Sequence, residues 1–193
     1  ASGALSVGAA RAGSCFISLG TSGQLLLGDE TYDPNPAEFV HAFAHTLPDL
    51  WYRMAAMLNG ARPMAWFSDI LGCDVGQMLT EAEDADLERI PLFLPYLTGE
   101  RSPHGDPAVR GGFYGLEGST GRAEMARAVT EAMAFMLRDA AASFGAGFTP
   151  EGPIPVLGGG AQSDLVLQTL TNVLEHPVAR AVAGRGGPAF GAA

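Results

Sequence analysis

Apolar and polar residues follow one another along this chain in patterns that mark out most of its elements. Two short β-compatible runs, from Ser14 to Leu19 and from Gln24 to Leu27, flank a glycine-rich turn and predict a hairpin with a four-residue loop. Residues 39–46, "FVHAFAHT", put Phe39, His41, Phe43 and His45 on one strand face by period two. After a turn at "LPD", the run "LWYRMAAML" continues the sheet. Beyond Gly60 the period changes. Pro63 suits a first helical turn, Met64, Phe67, Ile70 and Leu71 recur at three and four, and Gly72 ends the helix.

The acidic stretch from Glu81 to Glu88 reads as a solvated helix or loop, and the run that follows, "IPLFLPYL", is too apolar to be expected at a surface. The clearest helix spans about Gly121 to Phe144, with Met125, Ala128, Val129, Ala132, Met136 and Ala140 in one stripe and "GAG" as its exit. A short strand "IPVL", the turn "GGGA" and a helix opening at Ser163 and closing before Pro177 complete the pattern. The order is roughly β-β-β-α-β-α-β-α, which predicts one α/β domain with a mixed sheet flanked by helices.

Composition narrows what such a domain does. With 193 residues, 47% of them hydrophobic, the chain can bury a substantial core. No apolar run reaches the 18 or so residues that would cross a bilayer, no leader is visible, and a cytoplasmic protein is expected. A net charge of −10 argues against a nucleic-acid partner, which needs clustered cations. Cys15 and Cys73 are far apart and form no C-x-x-C, so buried reduced thiols are expected. His41 and His45 share a strand face, where packing is a commoner fate than metal binding. All 11 basic residues are arginine. The absence of lysine excludes a P-loop lysine, a kinase strand lysine and a Schiff-base lysine from this segment. Any nucleotide phosphate must be held by backbone N–H groups, hydroxyls, arginine or a metal.

Two glycine turns suit that task. "LGGGAQSD" at 157–164 is a strand, a glycine turn and a helix start, a geometry that points free N–H groups at a ligand; close packing of helix on sheet explains the glycines equally well. "SLGTSG" at 18–23 is either a plain turn or a ring of small donors in which the hydroxyls of Thr21 and Ser22 join glycine-flanked N–H groups around a terminal phosphate. A third segment, residues 92–116, is irregular, charged and glycine-rich; as a plain surface loop it would pair Arg101, Asp106 and Arg110 in water.

Taken together these motifs resemble the FGGY family of carbohydrate kinases over essentially the whole chain, and most of all the C-terminal half of its xylulokinase branch. "SLGTSG" is similar to the family's phosphate-contacting hairpin, "LPYLTGERSPHGDP" followed by "RGGFYGL" to its central signature, and "LGGGAQS" to its adenosine-binding turn. The start "ASGALSVG" and the end "GGPAFGAA" fit the same template. Gly111, Phe113, Gly115, Leu116, Glu124, Met125, Ala128, Val129 and Glu131 satisfy the second family signature, while Thr130 stands where an apolar residue is usual and reads as a surface or groove change.

The resemblance implies an actin-like, ribonuclease-H-like ATPase fold of two domains, of which this chain would be the second, nucleotide-binding one. By the same resemblance Gly20, Thr21 and Ser22 would face the γ-phosphate, Gly60 would approach the nucleotide, and Gly159, Gly160, Ala161 and Asp164 would line the adenosine pocket. The catalytic base would be an aspartate two residues before Ala1, so no catalytic residue is expected within the chain. It would be an excised piece, inactive alone. The intact enzyme would use ATP with Mg2+, held mainly by phosphates and water, to phosphorylate D-xylulose, and former interface surface could make the piece a homodimer. Two alternatives are another sugar kinase of the family, such as a gluconokinase or ribulokinase, and a nucleotide-binding module without catalysis.

Overall fold

A computed structural model describes residues 2–181, so the "GGPAFGAA" end lies outside the described residues. A short helix α1 (Ser2–Ser6) leads into β1 (Cys15–Leu19) and β2 (Gly23–Asp29), followed by β3 (Val40–Ala44) and β4 (Trp51–Met57). Helices α2 (Arg62–Leu71) and α3 (Val75–Glu83) come next, then a two-stranded ribbon of β5 (Leu92–Leu94) and β6 (Gly112–Tyr114). The long α4 (Arg122–Ala142), β7 (Ile154–Leu157), α5 (Asp164–Leu174) and β8 (Val178–Arg180) complete the chain.

The main sheet has the order β3-β4-β2-β1-β7-β8. Its first four strands are antiparallel to their neighbours, with β4 between β2 and β3, while β1, β7 and β8 run parallel, so the sheet is mixed. Alternation along β1 and β2 sends Ile17, Leu19, Leu25 and Leu27 into the main core against α4, while Phe16 and Leu26 on the opposite face join Ala4 of α1 in a smaller cluster. Helix α4 is the spine. Gly121 and Glu124 close its first turn, where the Glu124 carboxylate accepts the Gly121 N–H at 2.8 Å. Its own, the Asp86 and the Gly121 backbone N–H groups hold that carboxyl below the usual range. Among the described residues no helix is long and apolar enough to cross a membrane.

Several sequence expectations change. The hairpin loop has three residues, since Leu19 pairs with Gly23. In β3 the core side is that of buried Val40, whereas Phe43 is 42% exposed and makes tilted ring contacts with His41 and Tyr52 on the outer face. Helix α3 arises where only an acidic segment was visible. Asp74 and Gln77 form a reciprocal capping box, and Met78, Leu79 and Ala82 make a buried stripe behind the exposed acids. The "IPLFLPYL" run is not buried throughout: Phe93 is, but Leu92 is 48% exposed because a two-stranded ribbon has one open face. Thr130 is fully buried, and its hydroxyl is satisfied by the Ala126 carbonyl at 2.9 Å, so it is not a surface change. Strand β8, three residues at a sheet edge, was not foreseen.

Candidate functional site

The turn between β1 and β2 is held from below. Gly60 N–H donates to the Thr21 carbonyl at 3.0 Å and Ala61 N–H to the Gly20 carbonyl at 2.7 Å. Gly60 has to be glycine for this approach, because a Cβ there would lie 2.5 Å from Gly23 N and closer still to the Ser22 carbonyl. With the carbonyls of residues 20 and 21 turned inward, the N–H groups of Gly20, Thr21 and Ser22 donate to no backbone carbonyl among the described residues. All three residues are exposed, as is the hydroxyl-bearing edge they form. The result is a cluster of donors at the carboxyl end of β1.

The second glycine turn meets the first. Gly158 adopts φ +102°, and a Cβ on it would lie 2.6 Å from the Leu19 carbonyl carbon and nearer its oxygen. Gly160 packs against the Leu19 side chain and Met64, so it and buried Ala161 form the inner wall of the turn. Gly159 faces open space. The turn continues into α5, where Ser163 Oγ accepts the Val166 N–H as the N-cap. Gly159, Gln162, Ser163 and Asp164 form one wall of a cleft of about 460 Å³ whose other wall is α3, including Val75 and Thr80.

Arg180 of β8 fastens this turn from outside. Its guanidinium donates to the Ala161 carbonyl at 2.7 Å, the Gln162 carbonyl at 3.0 Å and Asp164 Oδ1 at 2.8 Å. Asp164 is 94% exposed at the side chain, so the pair fixes geometry more than it adds stability.

All eight residues singled out from the sequence therefore sit at one end of the sheet, beyond the carboxyl ends of β1, β4 and β7. Gly20, Thr21, Ser22 and Gly60 form the hairpin end, and Gly159, Gly160, Ala161 and Asp164 form the turn beside it. Sequence reasoning missed α3 as the facing wall, Arg180 as the clamp, and a buried polar knot behind Gly60. In that knot Glu100, 2% exposed, accepts the Leu58 N–H at 2.6 Å and the Arg101 N–H at 2.8 Å. Fully buried Asn59 donates to the Gly99 carbonyl at 2.8 Å. The "TGERSPHGD" segment is thus a packed strap and not a loose loop. Arg101, Asp106 and Arg110 do not pair with one another: Asp106 caps the Ala108 and Val109 N–H groups, and Arg110 bonds the Pro107 and Val109 carbonyls. Ser102 is sealed in as well, accepting from Ala56 N–H and donating to the Phe39 carbonyl.

Neither cysteine belongs to this end of the sheet. Cys15 lies buried at the far end of β1, and burial pushes its thiol far up; Cys73 is half-buried beyond α2. Among the described residues no three His, Cys, Asp or Glu side chains gather as a metal site.

The model of the C-terminal domain of the FGGY family of carbohydrate kinases matches residues 15–193. The chain belongs to this family. It is 37% identical over its whole length to a xylulose kinase of Escherichia coli, of which it covers 40%. Among solved structures, a xyloylose kinase from Brucella ovis superposes with a TM-score of 0.92 at 36% identity, over 99% of this chain and 40% of that one. A gluconate kinase from Lactobacillus acidophilus does so with 0.83 at 27%, over 98% of this chain and 40% of that one. The mixed sheet with flanking helices is accordingly the actin-like ATPase fold of the FGGY sugar kinases. The chain spans about 40% of the length of these relatives.

Proposed function

We propose that this chain is the C-terminal, nucleotide-holding domain of a two-domain sugar kinase that transfers the γ-phosphoryl group of ATP to D-xylulose, giving D-xylulose 5-phosphate. The observation that carries the reading is the convergence of two glycine turns at one end of the sheet, one presenting two hydroxyls and three N–H groups that donate to no backbone carbonyl among the described residues, the other opening on a cleft. The xylulose kinase named among its relatives favours this sugar.

In this mechanism the N–H groups at residues 20–22 and the hydroxyls of Thr21 and Ser22 hold the terminal phosphate oxygens. Each charge-assisted bond contributes roughly 1.5–3 kcal/mol, enough together to orient a phosphoryl group. Gly159, Gln162 and Asp164 flank the adenosine against α3, with Gly160 and Ala161 supporting the turn from within. Catalysis is then mainly positioning and charge stabilisation, since a loose phosphoryl transition state needs little covalent help. Among the described residues no acidic cluster gathers as a Mg2+ site; in this reading Mg2+ would arrive with the nucleotide, held mainly by its phosphates and water, and no step is assigned to it. An aspartate two residues before Ala1 would take the proton of the sugar hydroxyl that attacks phosphorus, a contribution of about 10²–10⁴ in rate. The N-terminal domain would supply the sugar contacts, so this chain alone would bind ATP without phosphorylating xylulose.

A coupled assay of the full-length protein across pentuloses and hexonates tests the reading. Preferred turnover of xylulose supports it. Preference for gluconate would replace the substrate, a second reading favoured by the similarity to the gluconate kinase. ATP binding with no transfer to any sugar would leave a nucleotide-binding module.

A further inference from the structure

The strap at residues 98–100 lies about 40 residues further along the chain than residues 58 and 59, yet hydrogen bonds join the two and continue from there to the turn at residues 20–22. Glu100 Oε1 accepts the Leu58 N–H at 2.6 Å, and its Oε2 lies 3.4 Å from Asn59 Nδ2. Asn59 Nδ2 also donates to the Gly99 carbonyl at 2.8 Å, and Thr98 Oγ1 donates to Asn59 Oδ1 at 3.2 Å. The next two residues, Gly60 and Ala61, donate to the Thr21 and Gly20 carbonyls. The strap therefore fixes residues 58 and 59, and residues 60 and 61 fix which way the phosphate-turn carbonyls point.

Glu100 makes no ion pair among the described residues, although it is almost wholly buried. Burying a carboxylate without a cation is a costly way to hold a loop together. What the charge supplies is two short, charge-assisted bonds to backbone N–H groups, stiffer than an amide or hydroxyl would make. We infer that Glu100 is a positioning residue for the phosphate turn, acting through Asn59 and Gly60 to keep the N–H groups of residues 20–22 turned outward. The inference rests on the reading of that turn as a phosphate site.

Position and charge predict opposite signs here. A buried anion near a phosphate site repels phosphate, so if Glu100 acted only through its field, Glu100→Gln would tighten nucleotide binding. If it acts through position, the amide places an NH2 against Asn59, loosens the strap and weakens binding of the phosphates alone. The test is equilibrium titration of the full-length protein with ATP and, separately, with adenosine, whose cleft lies on the other turn. Glu100→Gln is expected to raise the ATP dissociation constant about 10-fold, the equivalent of one good hydrogen bond, and to leave adenosine binding unchanged. Thr98→Val, which only frees the Asn59 amide, is expected to shift ATP about 3-fold in the same direction, again with adenosine unmoved. Equal weakening of both ligands would make Glu100 a structural residue and overturn the inference, as would tighter or unchanged ATP binding. If Glu100→Gln fails to fold, the Thr98→Val result decides by the same criteria. If the unsubstituted protein binds ATP no better than adenosine, the phosphate-site reading itself fails, and the inference with it.

Discussion

Gly60→Ala offers the most direct test of how the two halves of the site depend on one another. The new methyl carbon would lie 2.5 Å from Gly23 N and closer still to the Ser22 carbonyl, and these are backbone atoms at a strand end, not the tip of a flexible side chain. Reaching an ordinary separation of about 3.5 Å requires a retreat of about 1 Å by the turn or by residues 59–61. That shift stretches the Gly60-to-Thr21 and Ala61-to-Gly20 hydrogen bonds, now 3.0 and 2.7 Å, beyond useful range. Two lost bonds at about 1 kcal/mol each, with residual overpacking, give about 2–4 kcal/mol of destabilisation. For a chain of this size that is a fall of about 4–16 °C in melting temperature. The carbonyls of residues 20 and 21, once released, compete for the space that a phosphate would occupy, and ATP affinity should fall about 10–100-fold. Calorimetric titration with ATP and a thermal melt of the same sample read both effects. Gly118→Ala, outside both glycine turns, is the control, because a Cβ there meets nothing. A Gly60→Ala protein that melts within about 2 °C of the parent and binds ATP equally well would refute the clamp.

Three further outcomes follow from single residues. Thr21→Val removes an exposed hydroxyl, so ATP affinity should fall about 10-fold or more while the melting temperature stays put; unchanged affinity would remove Thr21 from the phosphate site. Arg53 is buried in β4 with Nε 2.8 Å from Asp29 Oδ2, though its N–H is not aimed along that line, and it bonds the Phe144 and Gly147 carbonyls. Arg53→Met strands those groups and should cost about 3 kcal/mol in a denaturant titration, with nucleotide affinity preserved in the folded protein. His45 is buried with Nδ1 accepting the Leu47 N–H, and burial holds its pKa below the ordinary value of 6.5. Its neutral form therefore supports stability above about pH 6.5, and that support is lost as pH falls through the lower folded value. Melting temperature should drop as pH falls below about 6.5, and His45→Gln should flatten the slope; parallel slopes for the two proteins would clear His45 of the effect.

What the sequence made legible, and what it hid, divides along a physical line. The hairpin, α2, α4 and α5 could be read because each carries its own period and its own punctuation: Pro63 and Gly72 around α2, Gly121 before α4, Ser163 and Pro177 around α5. The glycine turns could be read because a backbone that must approach another backbone admits only glycine, and that requirement is written at a single position, as at Gly60 and Gly158. Helix α3 was hidden because three buried residues in nine are too short a stripe to stand out beside Glu81 and Glu83. Strand β8 was hidden because three residues at an edge carry no alternation at all.

The polar knot was hidden for a deeper reason. Whether a glutamate is solvated or buried depends on what packs over it, and besides the neighbouring Arg101 N–H the groups that satisfy Glu100 come from Leu58 and Asn59, which no local pattern connects to "TGER". A charged residue in a glycine-rich loop looks the same in either case, and the ordinary assumption of surface ion pairs led to Arg101, Asp106 and Arg110 instead. The distinguishing signal lay in position and not in type: the strap falls where the chain must return to the end of β4, the strand that delivers Gly60 to the turn between β1 and β2. A loop obliged to meet that strand end has to satisfy the N–H groups left there, and a carboxylate with two free oxygens is the side chain best equipped to do so.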